Sequence, residues 1–385
     1  MNVLYIVGGE GNRYGSEIVA VTLIEGGKNN GINYTVVTAK SGYVSKKCEE
    51  LGIRCYIVPF SFFVYREIKI KILNFIKKTL WRCRAELLTF KATKFIESNI
   101  DLNTIDLIHT NLIRDLLGGV LSEKYNIPHV WHIHELFKSH YQLSMLRPRQ
   151  IEWISRHSNC FIAISKTVSN EWINNGLPND KVKVVYNGLD INAIQKKDHY
   201  QTSSLLRLAM VGHLVPAKGQ SIVVEQLSKL PDCIKKELVL DLYGDGTVEY
   251  KRFLEKAAKQ SNIKLTIKGY CSTIGEELYK YDIGINCSRG EGFGLSTVEY
   301  MAAGICPVVA NTGANEEIIS SGVTGYVFDY ADEKGLTNLV AYLFEHRNEM
   351  IEVSKKAKEE AGLKYPITKM QKEVYSLYST IVDSY

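Results

Sequence analysis

With 385 residues the chain is long enough for two domains with separate cores, and its 45% hydrophobic and 23% charged residues are those of a globular protein, not of a disordered or membrane-embedded one. A net charge of +5 is too small to point to nucleic acid, and none is expected as a partner. Eight cysteines, at positions 48, 55, 83, 160, 233, 271, 287 and 306, include no C-x-x-C pair and no zinc spacing, so free thiols in a reducing compartment are expected, and no metal.

The first half alternates apolar runs, at 3–8, 34–38, 54–58, 106–110, 129–134, 160–165 and 182–186, with helical stretches, which predicts a parallel sheet covered on both faces. The first run begins without a basic leader and no apolar run reaches the length of a membrane span, so a cytoplasmic protein is expected. The loop from Gly8 to Gly15, GGEGNRYG, nearly matches a dinucleotide fingerprint and would suit a nicotinamide dehydrogenase. Against this, the second strand runs out in Ala39-Lys40, without the acid that would hold a ribose.

Between 64 and 98 nine basic residues stand against three acids, interleaved with isoleucine, leucine, phenylalanine and tryptophan. That mixture predicts a basic amphipathic helix able to lie on an anionic membrane surface. Further on, HVWHIHEL places histidines at 129, 132 and 134. A metal is not expected there, because alternate strand residues point to opposite faces and no further ligand cluster follows.

A polar, irregular stretch at 191–204 suits a linker, after which strand-like runs restart at 206–212, 238–244, 263–269, 281–287 and 305–310. Between the last two runs lie a glycine-rich loop at 288–294 and a helical stretch at 295–303. Strand, glycine loop, helix and strand make the crossover unit whose loops form ligand crevices in open α/β sheets. In that loop and helix, EGFGLSTVE puts Glu291 and Glu299 on either side of seven residues. Helix-start amides there can meet phosphate oxygens while carboxylates take hydroxyl protons. No D-x-D triplet, the usual sign of a metal-clamped diphosphate, occurs. After 329 the chain turns helical, with a break at Pro366 before a last helix.

These motifs resemble those of the retaining glycosyltransferases of family 4, whose donor site reads EGFG, then an acid on the helix, then a Gly-Pro-Val-Val strand. Here that strand reads Gly304, Ile305, Cys306, Pro307, Val308 and Val309, one residue longer before the proline. VVYNGLD (184–190), MVGHLVPAKGQ (210–220), LYGDG (242–246) and TGYVFD (324–329) match further family motifs in order, so the resemblance covers nearly the whole chain. It implies the α/β GT-B fold: two doubly wound Rossmann-like parallel-sheet domains facing each other across a cleft. An acceptor domain would span 1–190, a linker 191–204, a nucleotide-sugar domain 205–365, and a helix at 366–385 would cross back to the first domain.

The resemblance also implies roles. Glu291 would contact the donor sugar's hydroxyls, His134 would lie near that sugar, and Lys218 would neutralise the diphosphate. Glu299 would accept the ribose hydroxyls, and Gly15, His213, Tyr270, Gly292, Phe293, Gly294, Leu295 and Ser296 would complete the donor site. The family usually has arginine where His213 stands, so Lys218 and the amides after Glu291 would carry more of the phosphate charge.

The implied reaction is a retaining, metal-independent transfer of a hexosyl group, from a UDP-linked donor and without further cofactor, to a hydroxyl of a glycan or lipid-linked acceptor. The implied setting is polysaccharide biosynthesis at the inner face of the cell membrane, with residues 64–98 as the peripheral contact. Acceptor identity would sit in 61–102 and 137–150. A sugar-nucleotide epimerase or hydrolase, a phosphorylase and a non-catalytic sugar-nucleotide binding protein are the other readings of the same residues.

Overall fold

The computed structural model describes residues 1–9, 11, 15–137, 143–200 and 204–385. It divides into two units, Met1–Gly188 with Thr368–Tyr385, and Leu189–Ile367.

The first unit contains β1 (Asn2–Val7), β2 (Asn33–Thr38), β3 (Arg54–Ile57), β4 (Val64–Arg66), β5 (Leu107–Thr110), β6 (His129–Ile133), β7 (Leu143–Met145), β8 (Cys160–Ala163) and β9 (Val182–Val184). Seven of these form one parallel sheet in the order β3-β2-β1-β5-β6-β8-β9. Its central strands are buried on both faces, which is why they read as unbroken apolar runs. On one face Leu4, Ile6 and Ile108 pack with Ala92, Ile96, Leu117 and Leu121 from two helices. The order reverses between β1 and β5, the kind of position beside which open α/β sheets form ligand crevices.

The segment 64–98, expected as one helix, is not one. Val64–Arg66 pairs antiparallel with β7, and the helix starts only at Lys71 and runs to Asn99. Asn74 Oδ1 accepts from the Ile68 amide at 3.0 Å, fixing the turn between strand and helix. The expected acceptor segment 137–150 includes 138–142, which lie outside the described residues.

The last helix, Ile367–Asp383, packs on the first unit. Gln371 Nε2 donates to the Thr22 carbonyl at 2.9 Å and Tyr375 Oη to that of Leu23 at 2.7 Å. Tyr378 Oη meets His109 Nδ1 at 2.6 Å.

The second unit is a six-stranded parallel sheet of β10 (Leu206–Val211), β11 (Leu238–Tyr243), β12 (Lys264–Gly269), β13 (Ile283–Asn286), β14 (Cys306–Ala310) and β15 (Tyr326–Phe328), in the order β12-β11-β10-β13-β14-β15. Leu208, Leu240, Ile285 and Val308 form the centre of its core. The reversal falls between β10 and β13. The stretch 191–200, expected as a linker, runs bonded along this unit: Lys197 Nζ meets Asp282 Oδ1 at 2.8 Å, and Tyr200 Oη donates to the Gly304 carbonyl at 2.9 Å. Residues 201–203 of that stretch are outside the described set.

Candidate functional site

The switch point of the second unit is lined by the loops after β10 and β13, which touch directly. Gly219 takes φ +79, and a Cβ on it would sit 2.1 Å from the Cys287 carbonyl oxygen, so only glycine lets the two loops lie this close. The Arg289 amide donates to the Ala217 carbonyl at 2.9 Å. That contact brings Lys218, at the end of the short turn Pro216–Lys218, over the glycine loop, where its Nζ meets Glu291 Oε2 at 2.9 Å. Both side chains keep a partly exposed surface.

Glu291 is held from the other side by the loop after β14, whose Ala314 amide donates to the Glu291 carbonyl at 2.9 Å. Gly294, at φ +98, then caps the helix Leu295–Ala303, so the turn carrying Gly292 and Phe293 leads straight into a helix start. A helix start presents amides without intrahelical acceptors and a partial positive charge. Ser296 lies in its first turn and Glu299 one turn further, both half-buried. The helix is pinned to the sheet by Tyr300, whose Oη accepts from the Val211 amide at 2.7 Å and donates to the Ile285 carbonyl at 3.2 Å.

Beneath the glycine loop lies a buried polar network that the sequence reading missed. Asn286 Nδ2 donates to Thr297 Oγ1 at 2.9 Å and lies 3.4 Å from Asn315 Oδ1, while Asn286 Oδ1 accepts from the Ser288 amide at 3.2 Å. Asn315 in turn donates to the Ala310 carbonyl at 3.0 Å. Strand end, glycine loop, helix and the loop after β14 thus share one set of hydrogen bonds. Asn286, a polar residue closing an apolar run, was the available signal.

His213 is exposed on the loop after β10, with its carbonyl receiving Gln220 Nε2 at 3.0 Å. Tyr270 follows β12 and is 60% exposed.

In the first unit, Gly15 opens the helix Gly15–Asn29 after β1; residues 10 and 12–14 of the preceding loop lie outside the described set. His134 follows β6, and its Nε2 lies 3.2 Å from Asn111 Oδ1. The amide side chain of Asn111 also receives Tyr5 Oη at 3.1 Å and donates to the Ser16 carbonyl at 3.0 Å. Since an amide oxygen only accepts, Nε2 carries the His134 proton and Nδ1 is the acceptor nitrogen. Asn111, which the sequence reading missed, therefore sets the tautomer and ties His134 to β1 and to the first turn of the helix Gly15–Asn29.

Alternation along β6 sets only His129 apart, against Thr110 Oγ1 at 2.8 Å. His132 and His134 share a face with ring centroids 4.2 Å apart, and His109 lies 5.4 Å from His132. Burial holds His109 and His134 well below the usual imidazole range, with neighbouring histidines adding to it, and brings His132 down to about 3. Asp115, after β5, is buried, and burial lifts its carboxyl to about 7. Among the described residues no group of three or more histidine, cysteine or acidic side chains is arranged to hold a metal.

Two doubly wound parallel sheets, each with its loops gathered at a topological switch point, define the GT-B class of α/β proteins. The chain belongs to the group 1, family 4 glycosyltransferases: residues 14–193 match the model described as Glycosyltransferase Family 4, and 193–360 that described as Glycosyl transferases group 1. An uncharacterized glycosyltransferase of Methanocaldococcus jannaschii is 25% identical over 259 residues, 66% of this chain and 70% of that protein. N-acetyl-alpha-D-glucosaminyl L-malate synthase of Bacillus anthracis is 27% identical over 204 residues, about half of each chain (50% and 52%). Anabaena HepE, whose crystal structure is in complex with UDP, superposes with a TM-score of 0.79 at 19% identity, over 99% of this chain and 100% of that one, and so shares the fold.

Proposed function

We propose that this glycosyltransferase moves a hexosyl group from a UDP-linked donor to a hydroxyl of a glycan or lipid-linked acceptor, with retention of anomeric configuration and without a metal. The observation that supports it best is the Lys218–Glu291 pair at 2.9 Å, set at a helix start on the switch point of the second unit. An ammonium and a set of amides are what a departing diphosphate needs, and a carboxylate beside them can hold sugar hydroxyls. HepE, of the same fold, has been crystallised with UDP-glucose as well as UDP, which favours a uridine donor.

In this reading the donor diphosphate takes Lys218 from Glu291, freeing that carboxylate for the sugar. Glu299 receives the ribose hydroxyls, while His213, Tyr270, Ser296 and the amides from Gly292 to Leu295 complete the donor contacts. The acceptor hydroxyl, bound by the first unit near Gly15 and His134, forms its bond to the anomeric carbon on the face from which the diphosphate leaves. Its proton passes to the departing phosphate oxygen. The acceptor belongs to cell-surface polysaccharide or glycolipid assembly, and the enzyme works at the inner face of the membrane.

Incubation with UDP-sugars and candidate acceptors in EDTA, with the product's anomeric configuration read by NMR, tests this. Retained configuration and full activity in chelator are expected, and Glu291→Gln should lower transfer by about a hundredfold. Activity lost with chelator and restored by manganese would overturn the metal-independent reading, and an epimerised donor or rapid free-sugar release without acceptor would overturn transfer.

A further inference from the structure

The helix Lys71–Asn99 buries Ala85, Thr89, Ala92 and Ile96 at spacings of four, three and four, the period of one helix face. Its opposite face carries a second stripe at spacings of three, four, three, four and three: Leu73, Ile76, Leu80, Cys83, Leu87 and Phe90. All six are exposed, the five apart from Cys83 by 47 to 63%. From Lys71 to Arg84 no residue is buried, and this half of the helix is tied to its unit through the short segment before it: Asn74 Nδ2 donates to Tyr65 Oη at 3.3 Å and Lys77 Nζ to the Arg66 carbonyl at 2.8 Å. Apolar side chains away from the stripe are exposed as well, Phe75 by 72% and Trp81 by 50%. Contiguous apolar surface of this extent marks an interaction site.

Charge selects the occupant. One flank of the stripe repeats every seven residues as Lys77, Arg84 and Lys91, and the other as Ile72, Thr79 and Glu86. A second copy packed along the stripe in antiparallel fashion would set basic flank against basic flank. In parallel fashion it would offer that flank a single acid, Glu86, which already holds Arg147 through two hydrogen bonds at 2.7 and 2.5 Å. Between 66 and 84 seven basic residues stand against one acid, Glu67. Basic side chains beside exposed leucine, phenylalanine and tryptophan fit the headgroup boundary of a bilayer, where apolar groups enter and long cations reach back to phosphate.

We propose that the outer face of this helix, from Leu73 to Phe90, docks the protein on a bilayer with anionic headgroups. The inference deepens the reading of a membrane-borne acceptor and rests on it for its purpose. By helix geometry the stripe is about 27 Å long, so the helix would lie along the surface.

Vesicle co-sedimentation of the full chain tests this, with phosphatidylglycerol-containing and pure phosphatidylcholine vesicles compared. Binding is expected to the first only and to weaken with salt. Joint Lys77→Glu, Arg84→Glu and Lys91→Glu should weaken it by at least about a hundredfold. Leu80→Ser with Leu87→Ser should weaken it too, and both variants should keep the wild-type melting temperature and its rise with UDP. Equal binding to both vesicle types, no binding, or undiminished binding by the charge-reversed protein would overturn the proposal. So would a stable dimer in solution that Leu80→Ser with Leu87→Ser dissociates. Transfer to a soluble acceptor by a protein that ignores vesicles would sink the docking surface alone, whereas vesicle binding without nucleotide-sugar binding would sink the catalytic reading alone.

Discussion

Replacing His132 by phenylalanine should make the first unit markedly less sensitive to acid. The ring is fully buried, neither nitrogen has a hydrogen-bond partner among the described residues, and burial lowers its pKa from 6.5 to about 3. Between those values the unfolded chain binds a proton that the folded chain does not, so stability is complete above 6.5 and falls as pH drops toward 3. The slope is about 1.4 kcal/mol per pH unit, so from pH 7 to about pH 4.5 this one ring costs roughly 2.5 kcal/mol. Asp115 acts in the opposite sense, since its raised pKa of about 7 makes the fold the better proton binder below that value. It is common to both proteins and cancels in the comparison, as does any packing cost of the larger ring. All four tryptophans, at 81, 131, 153 and 172, lie in the first unit, so urea unfolding followed by tryptophan fluorescence reports on that unit. His132→Phe should lose about 2.5 kcal/mol less than wild type between the two pH values. Equal losses would refute the argument that His132 is held neutral by burial.

Lys218→Met should weaken UDP and UDP-sugar binding by roughly 10- to 150-fold, the worth of one charge-assisted hydrogen bond, while leaving uridine binding unchanged. Calorimetric titration of the three ligands checks it, and an equal loss for uridine would place Lys218 away from the diphosphate. Tyr300→Phe should destabilise the second unit by about 1–3 kcal/mol, because the Val211 amide and Ile285 carbonyl lose a buried partner together. Calorimetry of the full chain measures this, and an unchanged transition would mean that the helix Leu295–Ala303 is held by apolar packing alone.

What was legible in the sequence was what repeats. The central strands of both sheets are buried on two faces and announce themselves as apolar runs, and EGFG marks the turn into the helix Leu295–Ala303 through its glycines and its acid. Residues that act singly were not legible. Asn111, Asn286, Thr297 and Asn315 are scattered polar letters whose meaning comes from strands and loops brought together across the fold. Tyr300 reads as one more apolar residue of a helix until its hydroxyl is seen between two strand ends. The segment 64–98 was readable as basic and apolar, but composition hid both the short strand at its start and the two opposed periods in its helix. Arginine and lysine counts do not reveal a stripe, whereas the spacing of Leu73, Ile76 and Leu80 does.

The buried network under the glycine loop bears on how the candidate site works. Lys218 and Glu291 are joined through flexible side chains, yet their backbones are not free to drift: Gly219 is pressed on Cys287, the Arg289 amide is bonded to Ala217, and the Ala314 amide holds the Glu291 carbonyl. Asn286, Thr297 and Asn315 then fix the same loop from below, with each residue at most 5% exposed. On the proposed function, such placement would keep the backbones of Lys218 and Glu291 and the helix-start amides oriented before any donor arrives, so little reorganisation would be needed as charge gathers on the leaving phosphate. On the same reading the ion pair would have to open for Glu291 to reach a sugar, and being partly exposed it costs little to break. A rigid backbone carrying one exchangeable side-chain pair would, on the proposed function, let donor binding, and not a change of fold, switch the site from its resting to its loaded state.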